Sequence, residues 1–221
     1  MFGPEYSALQ IAILVSYFGI LAILSFYGSH RYLMVYLYRK YRNNVPTPER
    51  EFTEAELPVV TIQLPLFNER YVCERLIDAV CAIDYPKSKL EIQVLDDSTD
   101  DTTAIAEKAV ARWAGEGVDI KLIHREDRTG FKAGALEEGL AVSRGELVAV
   151  FDVDFIPAPD YLRNTVHHFT DKNVGMVQAR WEHINRQYSL LTRAPAVLLD
   201  GHFVIEHTAR NRSGRFFRSE E

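Results

Sequence analysis

Between Pro58 and Asp154 the chain alternates short apolar runs with amphipathic stretches, and few architectures accept that pattern. Val59 to Leu64, Leu90 to Leu95, Ile120 to Ile123 and Leu147 to Phe151 read as strands. The first intervening stretch repeats Val72, Leu76 and Val80 at helical spacing, with Asn68 expected as its cap. The second takes capping side chains from Asp100 to Thr103, runs to about Ala114, and sets Ile105, Ala109 and Trp113 on one face. The third follows a loop at Arg128 to Gly134 and ends near Val142. Alternating strands and helices imply a parallel sheet with right-handed crossovers and helices on both faces. Further on, Tyr161 to Phe169 reads as a short helix, and Val174 to Ala179 as a strand ending in Arg180-Trp181. Ser189 to about Ala209 reads as a helix whose Pro195 needs a first turn or a kink.

The fourth apolar run ends in chemistry. Leu147 to Phe151 is unbroken, which suits a strand buried on both faces, and Asp152 and Asp154 follow it. In extended chain, residues two apart project to the same side. Two carboxylates then emerge together at the sheet edge where open α/β folds bind ligands. Hard cations such as Mg²⁺ or Mn²⁺ favour such oxygens and share their coordination with substrate phosphates. Two solvated acids at a strand end are the simpler alternative. Three other segments fall on the same edge: Pro65-Leu66-Phe67-Asn68-Glu69, Asp96-Asp97-Ser98, and Gly130-Phe131-Lys132-Ala133-Gly134. The glycines allow close backbone approach, and Lys132 offers a cation to a phosphate.

The N-terminal part has a different character. Ser7 to Gly28 is free of charge and long enough to cross a hydrocarbon core. Basic and aromatic residues follow, and Tyr32 to Tyr41 either lies along the membrane surface or continues the helix. The competing signal-peptide reading lacks a basic start and a good cleavage site. Positive charge after the run places the remainder on the cytoplasmic side of a plasma or inner membrane, behind a single span. The expected organisation is 1–42 as span and basic juxtamembrane segment, 43–57 as linker, and 58–221 as the main domain. Residues 1–50 carry five basic and two acidic side chains, so the overall −6 leaves −9 for the rest, a poor match to nucleic acid. Cys73 and Cys81 sit in one helical pattern and form neither a disulfide framework nor a thiolate metal site.

Taken in order, P-L-F-N-E, L-D-D-S, F-K-A-G-A-L and F-D-V-D resemble family 2 glycosyltransferases of the cellulose synthase superfamily. V-Q-A-R-W-E-H-I-N at 177–185 and L-T-R-A at 191–194 look most like the β-mannan (glucomannan) synthase branch. The resemblance implies a GT-A fold and inverting transfer of a hexose from a nucleotide sugar, GDP-mannose or UDP-glucose, to a growing β-linked polysaccharide. By position, Phe67 and Glu69 match the nucleotide-binding loop after strand one. Asp97 matches the acid that holds the base, and Lys132 the lysine near the diphosphate. Asp152 and Asp154 match the D-x-D pair, with Asp154 the stronger metal ligand, and Arg180 and Trp181 lie toward the acceptor side.

The family's general base belongs to a T-E-D-like motif, and its acceptor end to a Q-x-x-R-W motif. Neither string occurs in the 221 residues; Gln178-Ala179-Arg180-Trp181 is one residue short. The resemblance therefore leads one to expect no catalytic base in this chain and a donor-binding half truncated at its C-terminus. The alternatives are transfer to a lipid-phosphate carrier, which the 177–185 segment disfavours, and a membrane-tethered nucleotide-sugar-binding module without turnover. A nucleotidyltransferase would carry a glycine-rich basic loop where P-L-F-N-E stands.

Overall fold

The computed structural model describes residues 7–180 and 184–215. They group into two compact units, Pro48–Val177 and the pairing of Met1–Thr47 with Gln178–Glu221.

The first unit is built on strands β1 (Val60–Leu66), β2 (Leu90–Asp96), β3 (Ile120–His124) and β4 (Leu147–Val150), in the order β3-β2-β1-β4. Every pairing is parallel, with Val60 opposite Leu90 and Leu147, and Ile92 opposite Ile120. Strand order reverses between β1 and β4, the topological switch point at which such sheets open a crevice beyond their carboxyl ends.

One sheet face is apolar. Ile62, Leu64, Ile92 and Val94 pack against Leu76, Ile77 and Val80 of α2 (Cys73–Cys81) and Ala106 and Ala109 of α3 (Thr102–Gly115). Each large side chain buried there contributes about 1.5–3 kcal/mol. The α3 indole is anchored at the rim, where Trp113 Nε1 donates to Asp78 Oδ1 at 2.7 Å. Phe151 closes the far end of this layer, packed edge-on against Tyr161 of α5 (Tyr161–Thr165) with ring centres 5.0 Å apart.

The opposite face is buried and polar, and α4 (Phe131–Ala141) covers it over β1 and β2. Glu91 accepts from Thr61 Oγ1 at 2.6 Å, Lys121 Nζ at 2.7 Å and the Arg144 N–H at 2.9 Å. Next to it, Gln63 Nε2 donates to Gln93 Oε1 at 3.0 Å. Gly139 lets the helix approach: a Cβ there would lie 2.7 Å from both glutamine side chains. Burial pushes the Glu91 carboxyl up, but its three donors outweigh that and bring it down to about 2.

Strand β4 departs from its expected burial on both faces. It takes β1 as its one strand neighbour among the described residues; Leu147 and Ala149 pack on the core, while Val148 and Val150, on the face that α4 covers over β1 and β2, are 40% and 45% exposed. The expected strand at Val174 to Ala179 is likewise not formed: 174–180 has no ladder partner among the described residues. It approaches the sheet edge without pairing, and a cavity of about 280 Å³ lies between Leu147 and Val148 on one side and Met176 and Val177 on the other.

In the second unit, α1 (Ala8–Tyr41) is one continuous helix, capped by Ser7 and Gln10 in a reciprocal box. Its most apolar 18-residue window has a mean hydropathy of 2.2 with no residue buried, so it is long and apolar enough to cross a membrane. Tyr32 to Tyr41 continues that helix, and Met34 and Leu37 pack against Ala209 of α7 (Thr208–Arg212). The second helical region breaks into α6 (Leu190–Asp200), a π-helical stretch Gly201–His207, and α7. Pro195 sits inside α6 (Leu190–Asp200), beyond its first turn, which of the two expected placements excludes the first-turn one.

Candidate active site

Three loops leave the carboxyl ends of β1, β2 and β4, and a fourth enters α4 beside them. After β1, Asn68 adopts a left-handed backbone (φ 57°). It does not cap α2, whose N-cap is Val72 without a side-chain bond. Its own N–H donates to Ser98 Oγ at 2.9 Å and its Oδ1 accepts from the Thr99 N–H at 2.9 Å. Asn68 thus sews the β1 loop to the β2 loop, a long-range role that local helix-capping patterns do not reveal. The side chains of Phe67 and Glu69, on either side of it, are exposed.

The two acids after β2 have separate roles. Asp96 is fully buried and accepts from the Ser98 N–H at 3.1 Å and Thr103 Oγ1 at 2.6 Å, with His124 Nδ1 at 2.8 Å. Burial raises its carboxyl pKa, and these hydrogen bonds more than reverse that, leaving it below the ordinary carboxylate value. Asp97 is gripped by a two-pronged fork, Arg125 Nε to Oδ1 at 2.7 Å and Nη2 to Oδ2 at 2.6 Å. The same guanidinium donates to the carbonyls of Thr129 (3.3 Å) and Phe131 (3.0 Å), at the entrance to α4.

That entrance is tight. Gly130 (φ 74°) and Phe131 (φ 52°) are both left-handed, and a Cβ on Gly134 would collide with the Thr129 carbonyl oxygen. Helix α4 begins at Phe131, so Lys132 stands in a helical first turn rather than in the loop expected from its flanking glycines. Arg128 lays its guanidinium 3.3 Å from the Phe67 ring centre and 5.2 Å from that of Phe131, a cation–π stack at the mouth of the site.

Lys132 Nζ pairs with Asp152 Oδ1, joining the α4 entrance to the β4 loop; the two side chains are 48% and 39% exposed. An ion pair so open contributes little to stability, which leaves both groups available to a ligand. Asp152 and Asp154 are not presented by an extended strand as expected. β4 stops at Val150, and the Phe155 N–H donates to the Asp152 carbonyl at 3.0 Å, so the pair sits on a turn. Asp154 is exposed. Among the described residues no cluster of three His, Cys, Asp or Glu side chains surrounds them. Two carboxylates beside a lysine fit a hard divalent cation that draws its other oxygens from phosphates and water.

Arg128 and Arg125 thus link Phe67, Asp97 and the α4 entrance, and Lys132 reaches Asp152, while Glu69 and Asp154 stand exposed on the β1 and β4 loops. Arg180 is exposed and falls in the other compact unit, and Trp181 lies outside the described residues. Sequence reading placed Asp96 in the L-D-D-S segment without giving it a role, and missed Thr103, His124, Arg125 and Arg128 as site residues; the only signal for the arginines was the charge density of H-R-E-D-R-T-G ahead of Lys132.

The family model described as Glycosyl transferase family 2 matches residues 61–218. Glucomannan 4-beta-mannosyltransferase 2 of Arabidopsis thaliana is 41% identical over 184 residues, covering 81% of this chain and 34% of its own length. Glucomannan 4-beta-mannosyltransferase 1 of Oryza sativa subsp. japonica is 42% identical over 185 residues, covering 81% and 36%. The chain thus spans about a third of the length of these relatives. Among solved structures, a mannosyltransferase from Pyrobaculum calidifontis in complex with GDP-Man and Mn²⁺ superposes with a TM-score of 0.59 at 32% identity, over 72% of this chain and 46% of that one.

Proposed function

The chain belongs to glycosyl transferase family 2, and on that premise we propose that it holds the donor in mannosyl transfer from GDP-mannose to a growing β-linked mannan or glucomannan. The observation that carries this reading is the Lys132–Asp152 pair, which sets a cation and the D-x-D acids together at the sheet's switch point. The relatives' names support mannose as the sugar and glucomannan as the product, and the neighbour bound to GDP-Man and Mn²⁺ supports the donor and a divalent metal.

In this reading Asp97 accepts from N–H groups on the base edge, and the Phe67 ring lends it an apolar face. Lys132 turns from Asp152 toward the diphosphate. As the acceptor hydroxyl bonds to the anomeric carbon, the bond from that carbon to the diphosphate oxygen breaks, and Lys132 offsets the negative charge that collects on the leaving group. Asp154, with Asp152 beside it, would hold the divalent ion, which supplies further charge stabilisation to the diphosphate. The hydroxyl proton leaves to a general base on the acceptor side. Helix α1 tethers the site to a membrane, with the donor side cytoplasmic.

The test is calorimetric titration of the detergent-solubilised chain with GDP in the presence of Mn²⁺. Binding is expected, tighter than for UDP, and at least tenfold weaker in Lys132→Ala and Asp154→Asn at unchanged melting temperature. A chain that binds neither nucleotide, or variants that bind as the parent does, would overturn the proposal.

A further inference from the structure

The fork on Asp97 reaches beyond that one carboxylate. Arg125 is 9% exposed, and its neighbours account for both ends of the planned site. Two of its N–H groups point the Asp97 oxygens, and two hydrogen bonds to backbone carbonyls hold the turn that delivers Lys132. The turn needs holding. Its left-handed Phe131 is a conformation that a bulky residue pays about 1–2 kcal/mol to adopt, and Gly134 permits the close return of the chain only while the Thr129 carbonyl stays in place. Arg125 grips that carbonyl and the one at Phe131. Arg128, three residues on, is directed differently: its guanidinium stacks on Phe67 and its Nε stays 3.7 Å from Asp97, so it does not duplicate the fork.

We propose that Arg125 is the positioning residue of the donor site, a single guanidinium that aims Asp97 at the nucleobase and simultaneously fixes the turn that presents Lys132 to the diphosphate. The inference rests on the donor-binding role proposed above. Only arginine meets both demands, because it alone presents several N–H groups in one rigid plane. Lysine keeps the charge but not the fork. Asp97 acts on the base, and Arg125 acts only through Asp97 and the turn, touching no ligand itself.

A double-mutant cycle reads the coupling directly. GDP affinity is measured with Mn²⁺ on the full chain and on Arg125→Gln, Arg125→Lys, Asp97→Asn and the Asp97→Asn/Arg125→Gln double variant, each with its melting temperature. Arg125→Gln and Arg125→Lys are both expected to lose at least tenfold in GDP affinity. Inorganic pyrophosphate, which has no base, reports on the turn alone and should weaken less than GDP. In the Asp97→Asn background, adding Arg125→Gln should cost GDP no more than it costs pyrophosphate, because the base-aiming part has already gone. If Arg125→Gln leaves the chain unfolded, Arg125→Lys carries the same comparison. Parental GDP affinity in a folded Arg125 variant overturns the inference. So does an Arg125→Gln loss for GDP that is as large in the Asp97→Asn background as in the parent. Absence of GDP and UDP binding by the unsubstituted chain is a different result, removing the donor-site reading and this inference with it.

Discussion

The buried ladder under α4 makes a stability prediction whose size follows from one carboxylate. The Glu91 side chain is 4% exposed and meets Lys121, Thr61 and the Arg144 N–H within 2.9 Å. Its carboxyl titrates at about 2 in the folded chain against a reference value of 4.5. A depressed carboxylate stabilises the fold above its unfolded value and loses that contribution as pH falls toward its folded value. The difference is worth about 3 kcal/mol at neutral pH, at roughly 1.36 kcal/mol per pH unit, and about 1.4 kcal/mol of it survives at pH 3. Glu91→Gln copies the protonated side chain in shape. It should therefore cost about 3 kcal/mol at pH 7, a drop of about 10 °C for a unit of this size. The assay is thermal and urea unfolding of both proteins at pH 7, 5 and 3, followed by tryptophan fluorescence. The gap between them should hold from pH 7 to 5, then narrow to less than half by pH 3. A gap that stays the same at pH 7 and pH 3, or no gap at pH 7, would refute the reasoning.

The glycines and thiols give two further tests. Gly134→Ala places a methyl against the Thr129 backbone, which has no room to move, and should abolish GDP binding and lower stability by more than about 2 kcal/mol. Gly139→Ala meets side-chain ends rather than backbone, those of Gln63, Gln93 and Leu95, so it should cost less in urea unfolding than Gly134→Ala and leave GDP binding intact. Cys73 is fully buried and burial lifts the Cys81 thiol to about 12, so at pH 8 neither should react appreciably with an aromatic disulfide reagent until denaturant is added.

What could be read from the sequence was what depends on local pattern. The strand–helix alternation predicts the sheet because each apolar run must find a buried neighbour, and the four motifs predict the site because strand ends in such a sheet converge. Features set by distant partners were not legible. Asn68 looks like a helix cap because its partners, Ser98 at its backbone N–H and Thr99 at its side chain, lie about thirty positions away. The run Leu147–Val150 reads as doubly buried because apolarity does not say what packs on each face of a strand; α4 covers β1 and β2, and Val148 and Val150 on that face of β4 stay open. Val174 to Ala179 has strand-forming residues but no ladder partner among the described residues. Arg125 was invisible because a fork is recognised by what it grips.

The polar side of the sheet also bears on how the chain finds its alignment while folding. Apolar strands of similar composition can slide past one another at little cost, and a one-residue slip turns every side chain to the opposite face. Here such a slip of β2 against β1 would drive Glu91 and Gln93 into the layer formed by α2 and α3, and would leave Thr61 and Gln63 facing Leu90 and Ile92. Misaligned pairings are thus penalised by unsatisfied polar groups once α2 and α3 dock. The fourth strand, Leu-Val-Ala-Val, carries no such marker of its own. It borrows one: the Gly145 N–H donates to Thr61 Oγ1 at 2.9 Å across a sequence separation of 84 residues. A single threonine hydroxyl thereby indexes strands on both sides of β1, joining Glu91 to one and Gly145 to the other.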